Sequence, residues 1–276
     1  MPARIISDSV NQYGERLTTF EIKVHRYIWS EFLTHRVFAR NAASSRARPI
    51  QKVIDSVCDD IAVPLVWGTA QPGMQAGPPL EGDLLNEALD VWIEAASAAV
   101  DYATILQNMN VSKEVVNRVL EPYSYTTAII TGSEFQNFFT QRCNSDAQAE
   151  IRIPAEKMRE LYESSEPKLL KQNEWHLPYI QENEKYFDTE NLKKLSAARC
   201  ARVSYLSHDG KRDVSKDFEL FTRLVTHGHW SPLEHVCRPA DLEENPVGPF
   251  ARERWHCFRH EFASNAPQGS FKSPES

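Results

Sequence analysis

The sequence predicts an α+β fold, on two observations. Residues 17–24 set Phe20, Ile22 and Val24 against Glu21 and Lys23, the alternation of a half-buried strand, and Ala3–Val10 ahead of them reads as a shorter strand. Further on, Leu85, Leu89, Trp92, Ala96, Ala99 and Ala103 recur at the spacing of one face of a long helix. No low-complexity block or linker divides the 276 residues, so a single domain over 1–276 is expected, with a frayed Ser/Pro/Gly tail after Asn265.

In chain order, the apolar run 25–38 follows the second strand and reads as a helix. That would place Arg36 and Arg40, four residues apart, on one face. A short helix is expected over 49–57. Residues 67–82 form a loop by their Gly and Pro content. Its length suits either a lid or wall of a site or a tolerated insertion. Asp83 reads as the cap of the long helix, which runs through Leu106 with an Ala-rich stripe suited to core packing or to a subunit interface. Helix is expected again at 112–120, β structure at 123–131, and helix at 134–141, 146–162 and 213–225. Residues 169–186 read as irregular, and the last forty are punctuated by proline.

Composition narrows the function. The formal net charge is -7, which disfavours a nucleic-acid scaffold but not a small anionic ligand. No apolar run reaches membrane-spanning length, and the first ten residues lack the apolar core of a signal peptide. Cys58, Cys143, Cys200, Cys237 and Cys257 are scattered, with no Cys-x-x-Cys pair, so reduced thiols in a cytoplasmic compartment are expected.

Against that acidic background, residues 34–46 (Thr-His-Arg-Val-Phe-Ala-Arg-Asn-Ala-Ala-Ser-Ser-Arg) concentrate guanidinium groups. Arg36, Arg40, Arg46 and Arg48 flank Ser44 and Ser45, and Ala39, Ala42 and Ala43 leave room for close approach. Guanidinium forks with hydroxyl donors make an anion cradle; the alternative is a solvated helix face with ordinary ion pairs. In a second stretch, Arg142 follows Phe138 and Phe139. An arginine beside apolar walls keeps its charge and can hold a polarised heterocycle; the alternative is a salt bridge to Glu150 or Asp146. In a third, His227, His229 and His235 invite a zinc reading, with His-x-His on one face of a strand. No aspartate or cysteine lies close in sequence to complete the ligand set, so no metal is assigned.

Together these stretches resemble the flavin-dependent thymidylate synthases. That family's signature is Arg-His-Arg, seven residues, then Ser, with an arginine two further on; here His35-Arg36, Ser44 and Arg46 match and Thr34 replaces the first arginine. The family's Leu-Arg-x-x-x-x-Ala-Gln-x-Glu-Ile-Arg is matched by Gln141-Arg142, then Ala147-Gln148 and Glu150-Ile151-Arg152. Its Ala-Arg-Val-Ser-Tyr matches residues 201–205, and its His-Gly-His-x-Ser-Pro-x-Glu-His matches residues 227–235. In the family the last two blocks come first, so this chain looks circularly permuted; chain termini often lie close together, which makes permutation physically cheap. The permutation expects residues 233–236 beside the 17–24 strand. A fainter echo of the lead-in at residues 250–260 suggests that Arg254 or Arg259 supplies the charge Thr34 lacks.

The resemblance implies a central antiparallel sheet packed with helices and methylation of dUMP at C5. Methylenetetrahydrofolate would give the carbon, and FAD reduced by NADPH the hydride. It implies that Ser44, Ser45, Arg46 and Arg118 hold the nucleotide, Arg142 faces the pyrimidine as the catalytic arginine, and Glu31 occupies a substrate position. His35, Arg36, Val37, Asn137, Ser204, His229, Ser231 and Glu234 would contact FAD. It implies a homotetramer with shared sites, and no nucleic-acid or membrane partner. Glu31 stands where the family has Gln, Ala42 where it has Glu, and Thr131 and Ser133 where it has Asn and Arg. These departures leave open another pyrimidine nucleotide such as dCMP, hydroxymethyl transfer, or a nucleotide-binding relative without flavin. A hydrolase using the three histidines is the remaining alternative.

Overall fold

The computed structural model describes residues 2–203 and 213–263. Its centre is a five-stranded sheet in the order β3-β4-β2-β1-β5, built from β1 (Ala3–Val10), β2 (Arg16–His25), β3 (Ala39–Ala42), β4 (Tyr125–Gly132) and β5 (Lys168–Leu169). All pairings are antiparallel except β1 with the two-residue β5. Both predicted strands are present, and the alternation in β2 does what it implies. Phe20, Ile22 and Val24 enter one core with Phe32, Phe38, Phe135, Phe138 and Ile151, while Leu17 joins a second on the other side of the sheet.

The first core is covered by α1 (Trp29–Phe32), α5 (Gln136–Arg142) and α6 (Ala149–Ser164). Gly132 ends β4 where a Cβ would sit 2.7 Å from the Phe38 ring and 3.0 Å from Phe135, so only glycine admits this aromatic packing. Beyond β3, α2 (Ile50–Asp59), α3 (Gly82–Asn108) and α4 (Lys113–Val119) make a separate helical cluster around Val53, Val57, Ala103, Val116 and Leu120. The predicted long helix and its inner stripe are observed. Its N-cap, however, is Glu81 with no side-chain cap bond, and Asp83 lies inside the first turn.

The second half of the chain packs on the opposite side. It comprises α7 (Thr189–Ala201), α8 (Val214–Thr226), a 3-10 turn Ser231–His235, the ribbon β6 (Cys237–Pro239) with β7 (Trp255–Cys257), and α9 (His260–Ala263). Asp188 and Asp213 cap α7 and α8 by accepting from the backbone N–H groups of Asn191 and Lys216. Among the described residues, no helix is long and apolar enough to cross a membrane.

The expected helix over 25–38 is corrected. A 3-10 turn, Arg26–Ile28, leads into α1, which stops at Phe32. The chain then turns, with the Thr34 hydroxyl donating to the Glu31 carbonyl, and enters β3 at the sheet edge. Arg36 therefore sits in a turn and Arg40 on a strand, not on one helix face. The apolar pattern misled because His35 and Phe38, on a backbone that is not helical, join Phe32 at the end of α1 in one aromatic cluster.

Candidate active site

Arg142 closes α5 and reaches back over the turn after α1. Its Nη1 donates to Glu31 Oε2 at 3.0 Å and its Nε donates to His35 Nε2 at 3.0 Å, with Nη2 3.5 Å from the Thr34 hydroxyl. Glu31 is thus the ionic partner of Arg142, in place of the expected alternatives Glu150 and Asp146. Because His35 Nε2 accepts, its ring proton is on Nδ1. Burial, then the charges of Arg142 and Arg40, hold the His35 pKa below the usual imidazole range. Arg40 in turn donates to the His35 and Phe38 carbonyls at 2.6 and 3.0 Å, bracing the turn that carries Arg36 and Val37. Arg36 is exposed and makes no hydrogen bond or ion pair among the described residues.

Ser44, Ser45 and Arg46 form a second group, in the turn after β3. Asn117 of α4 anchors it, donating to the Ser45 carbonyl at 2.7 Å and the Arg48 carbonyl at 3.0 Å. Arg46 pairs with Glu114 on the same helix, and Arg118 is exposed one residue beyond Asn117. Arg26, Arg48 and Ser45 line a small cavity here, and burial together with the Arg26 charge lowers the Arg48 pKa. Arg26 is matched by Glu121 across this cavity, while Arg48 has no carboxylate partner among the described residues, and such an uncompensated guanidinium favours an anion. The structure therefore unites Ser44, Ser45, Arg46 and Arg118 in one group and Glu31, Thr34, His35 and Arg142 in another. Among the described residues no hydrogen bond or ion pair joins the two within one chain. Sequence reasoning missed Arg26, which falls inside the run 25–38 read as a helix, and Asn117, which carries no motif.

The turn Ser231–His235 packs on β3. His235 is fully buried and bound on both nitrogens, at 2.8 Å to the Thr131 hydroxyl through Nδ1 and 2.9 Å to Asn41 Oδ1 through Nε2. Asn41 Nδ2 donates to the Ser231 hydroxyl at 3.0 Å. On the other side, Thr131 meets the Thr19 hydroxyl at 2.7 Å, Thr19 meets His176 Nε2 at 2.7 Å, and His176 Nδ1 meets the Ser9 hydroxyl at 2.8 Å. A hydrogen-bonded chain therefore crosses the sheet from β1 to Ser231. Through it the His227–His235 block is tied directly to β3 and β4, and to the 17–24 strand only by way of Thr131 and Thr19.

Several expectations are corrected here. Thr131, which stands where the family has Asn, belongs to this buried chain. His227 and His229 follow α8 in a turn that Gly228, at φ +71°, makes possible, and not on a strand. His235 points inward while they are exposed, so the three-histidine metal set is not assembled. Arg254 donates to the Asp241 and Glu244 carbonyls and Arg259 pairs with Glu234, so neither joins Thr34. Asn137 lies at the start of α5, accepting from Gln141. Ser204 lies outside the described residues.

A sheet edge that presents arginines, neutral imidazoles and a paired carboxylate suits transfer chemistry on an anionic substrate, and the protein is a transferase-class enzyme. The chain belongs to the family described as thymidylate synthase complementing protein, whose model matches residues 16–168, more than half of its length. That match runs in one linear order through the first two motif stretches; residues 201–205 and 227–235 lie outside it. No curated protein matches the chain. Among solved structures it is similar to a UMP/dUMP methylase, PolB, from Streptomyces cacaoi bound with 5-Br UMP, at 15% identity over 58% of this chain and 87% of that one, with a TM-score of 0.49. It is also similar to the flavin dependent thymidylate synthase ThyX from Helicobacter pylori complexed with FAD and dUMP, at 16% identity over 53% and 67%, with a TM-score of 0.38. Family membership rests on the family match alone.

Proposed function

We propose that this protein methylates dUMP at C5, with methylenetetrahydrofolate as carbon donor and FAD and NADPH as the source of the hydride. The observation that carries the reading is the Arg142–Glu31–His35 cluster, which belongs to a chain of the thymidylate synthase complementing family and is built from residues of two separate family motifs.

The residues fit a flavin. Arg36 offers an unpaired guanidinium among the described residues for a pyrophosphate, and the neighbouring His35 packs on Phe138 of α5, the helix that carries Asn137. Ser231 is fixed through Asn41 to the same sheet edge, and Arg40 carries the electrostatic link from this turn to Glu234. Val37 and His229 add exposed surface on either side. Bound FAD would supply the hydride; the chain itself positions and polarises. In this assignment Ser44, Ser45, Arg46 and Arg118 hold the nucleotide phosphate and sugar, and Arg142 faces the pyrimidine. There it favours the N3-deprotonated form and so raises the electron density at C5. Glu31 holds the guanidinium plane in place by pairing with Arg142. The two arginine groups meet around one nucleotide only if neighbouring copies share sites, so a homo-oligomer, a homotetramer by the family resemblance, belongs to the proposal. So do the single domain, the permuted motif order and a cytoplasmic location.

The test is tritium release from C5-labelled dUMP, with dCMP in parallel, in the presence of FAD, NADPH and methylenetetrahydrofolate. Release from dUMP alone is expected. Release from dCMP alone would move the substrate, and a protein that binds dUMP but neither binds FAD nor releases tritium would leave a non-catalytic relative. Glu31→Gln is expected to tighten dUMP binding roughly two- to fivefold, read by calorimetry, because it removes a negative charge from Arg142 at a partly exposed site. Unchanged or weaker binding would place Glu31 in direct contact with the nucleotide instead.

A further inference from the structure

The long helix α3 carries a second apolar stripe. Its inner stripe runs from Leu85 to Ala103; Ala99 and Ala103 pack in the core shared with α2 and α4, and Trp92 packs on Trp67 and Tyr123. One residue earlier at each step, positions 84, 88, 91, 95, 98, 102, 105 and 109 alternate four and three apart, and all are apolar or aromatic. Leu84, Val91, Tyr102, Ile105 and Met109 along this line are 58%, 60%, 64%, 52% and 68% exposed. The helix is 27 residues long, so the strip runs about 40 Å, an extent that marks an interaction surface rather than scattered exposed side chains.

We propose that this stripe is a self-pairing surface, on which a second copy of α3 lies antiparallel about a two-fold axis between Ala95 and Ala98. A four-three repeat sustained this far is matched by another helix, which presents the same period. The charge on α3 excludes the other common occupants. It carries Asp83, Glu87, Asp90, Glu94 and Asp101 and no lysine or arginine, so an anionic lipid surface or a nucleic acid would be repelled.

The antiparallel direction follows from size and charge. About that axis Leu84 meets Met109, the small Ala88 meets Ile105 and Val91 meets Tyr102, so the smaller side chain of each pair faces one that fills it, while Ala95 against Ala98 lets the two helices approach closely at the axis. A parallel pair would oppose Ala88 to Ala88 and Tyr102 to Tyr102. It would also stack four carboxylates of one N-terminal half beside the same four of the other, whereas residues 102–109 bear no charge. Opposed helix dipoles add to the preference. The remaining like-charge approach is Glu94 to Asp101 of the second copy, which salt screens. The pairing rests on the homo-oligomer of the proposed function and names its surface; its test reads mass and not turnover, so its failure is distinguishable from failure of the nucleotide assignment.

The test combines two measurements on the full chain. By light scattering after gel filtration, the wild type is expected to run at a multiple of 31.6 kDa, and Val91→Asp with Tyr102→Asp is expected to halve that mass while keeping the far-ultraviolet dichroism. A wild type that is monomeric at 50 μM (about a thousandfold above a tight dimer's Kd), or a folded variant of unchanged mass, overturns the proposal. Should the acidic variant fail to fold, cysteine cross-linking decides. In a Cys58→Ser background, Val91→Cys with Tyr102→Cys is expected to oxidise to a covalent dimer, and Val91→Cys alone is not. Cross-linking by Val91→Cys alone would show a parallel pair, and no cross-link in either would remove the stripe from the interface. Pairing that loosens as salt rises would also contradict this geometry.

Discussion

Arg142→Ala is expected to lower turnover by about three orders of magnitude while leaving the fold intact. Its guanidinium joins α5 to the turn after α1 through two 3.0 Å bonds, and both would be lost together. The structural cost is small, because Glu31 is partly exposed and can return to water; about 1 kcal/mol is the expected scale. In a chain of this length that is a few degrees in melting temperature. The catalytic cost is large because the charge is aimed where negative charge develops on the pyrimidine ring and is preorganised by its neighbours. Arg142→Lys is expected to recover little, since a single ammonium cannot hold Glu31 Oε2 and His35 Nε2 at once in the planar fork they define. One further measurement separates a positioned charge from a merely structural one. Burial is the leading cause of the low His35 pKa, but Arg142 is the next, so in Arg142→Ala the His35 resonance should titrate at higher pH. Turnover within tenfold of wild type, with His35 shifted, would remove Arg142 from the reaction.

What the sequence disclosed follows the range of the forces involved. β2 and α3 announce themselves because one face of each meets apolar surface, and alternation or helical spacing records that directly. α7 does not. Its Lys193 and Arg199 are buried along with Leu195 and Ala198, so no polar face survives to give a period. Arg199 is accommodated only because Glu184 and Asp217, from elsewhere in the chain, hold its guanidinium. The site was legible as motifs but not as geometry. Arg142 stood out by its aromatic setting, yet its partner Glu31 lies 111 positions away and no local pattern links them. Asn41 and Asn117 organise the two groups from β3 and α4, and neither carries a signal beyond its own amide. The histidines of the third stretch invited a metal because imidazole is ambiguous in sequence; the hydrogen bonds on both ring nitrogens of His235 resolve that residue.

Those same hydrogen bonds lead to the second large effect, a loss of stability below pH 6.5. The Asn41 amide N–H goes to Ser231, so its carbonyl accepts from His235 Nε2–H, and His235 Nδ1 must accept from the Thr131 hydroxyl. Thr131 then accepts from Thr19, Thr19 from His176 Nε2–H, and His176 Nδ1 accepts from Ser9. Every link runs in one direction, and both imidazoles are neutral with the proton on Nε2. A second proton on either ring would face a hydroxyl already donating to it, in a site buried from solvent. Burial accordingly holds both pKa values down to about 3. Unfolded histidine titrates near pH 6.5, so between about 6.5 and 3 the unfolded chain binds protons that the folded chain refuses. The stabilisation is complete above pH 6.5 and is lost as pH falls, by about 1.4 kcal/mol per pH unit for each histidine and about 2.7 for the pair. Burial also lowers the pKa of His25, His35, His256 and His260, so the total slope does not isolate the chain. The difference between variants does. His235→Gln keeps a donor and an acceptor but cannot titrate, and should reduce the slope of unfolding free energy between pH 6 and 4 by about one proton, at a cost of about 1–3 kcal/mol at pH 8. His235→Ala should cost about 3–5 kcal/mol at pH 8, because it strands the Thr131 hydroxyl and the Asn41 carbonyl beside a cavity. It should also weaken flavin binding by releasing Ser231. If His235→Gln unfolds in urea with the wild-type pH slope, the imidazole is already charged in the folded protein and the directional chain is wrong.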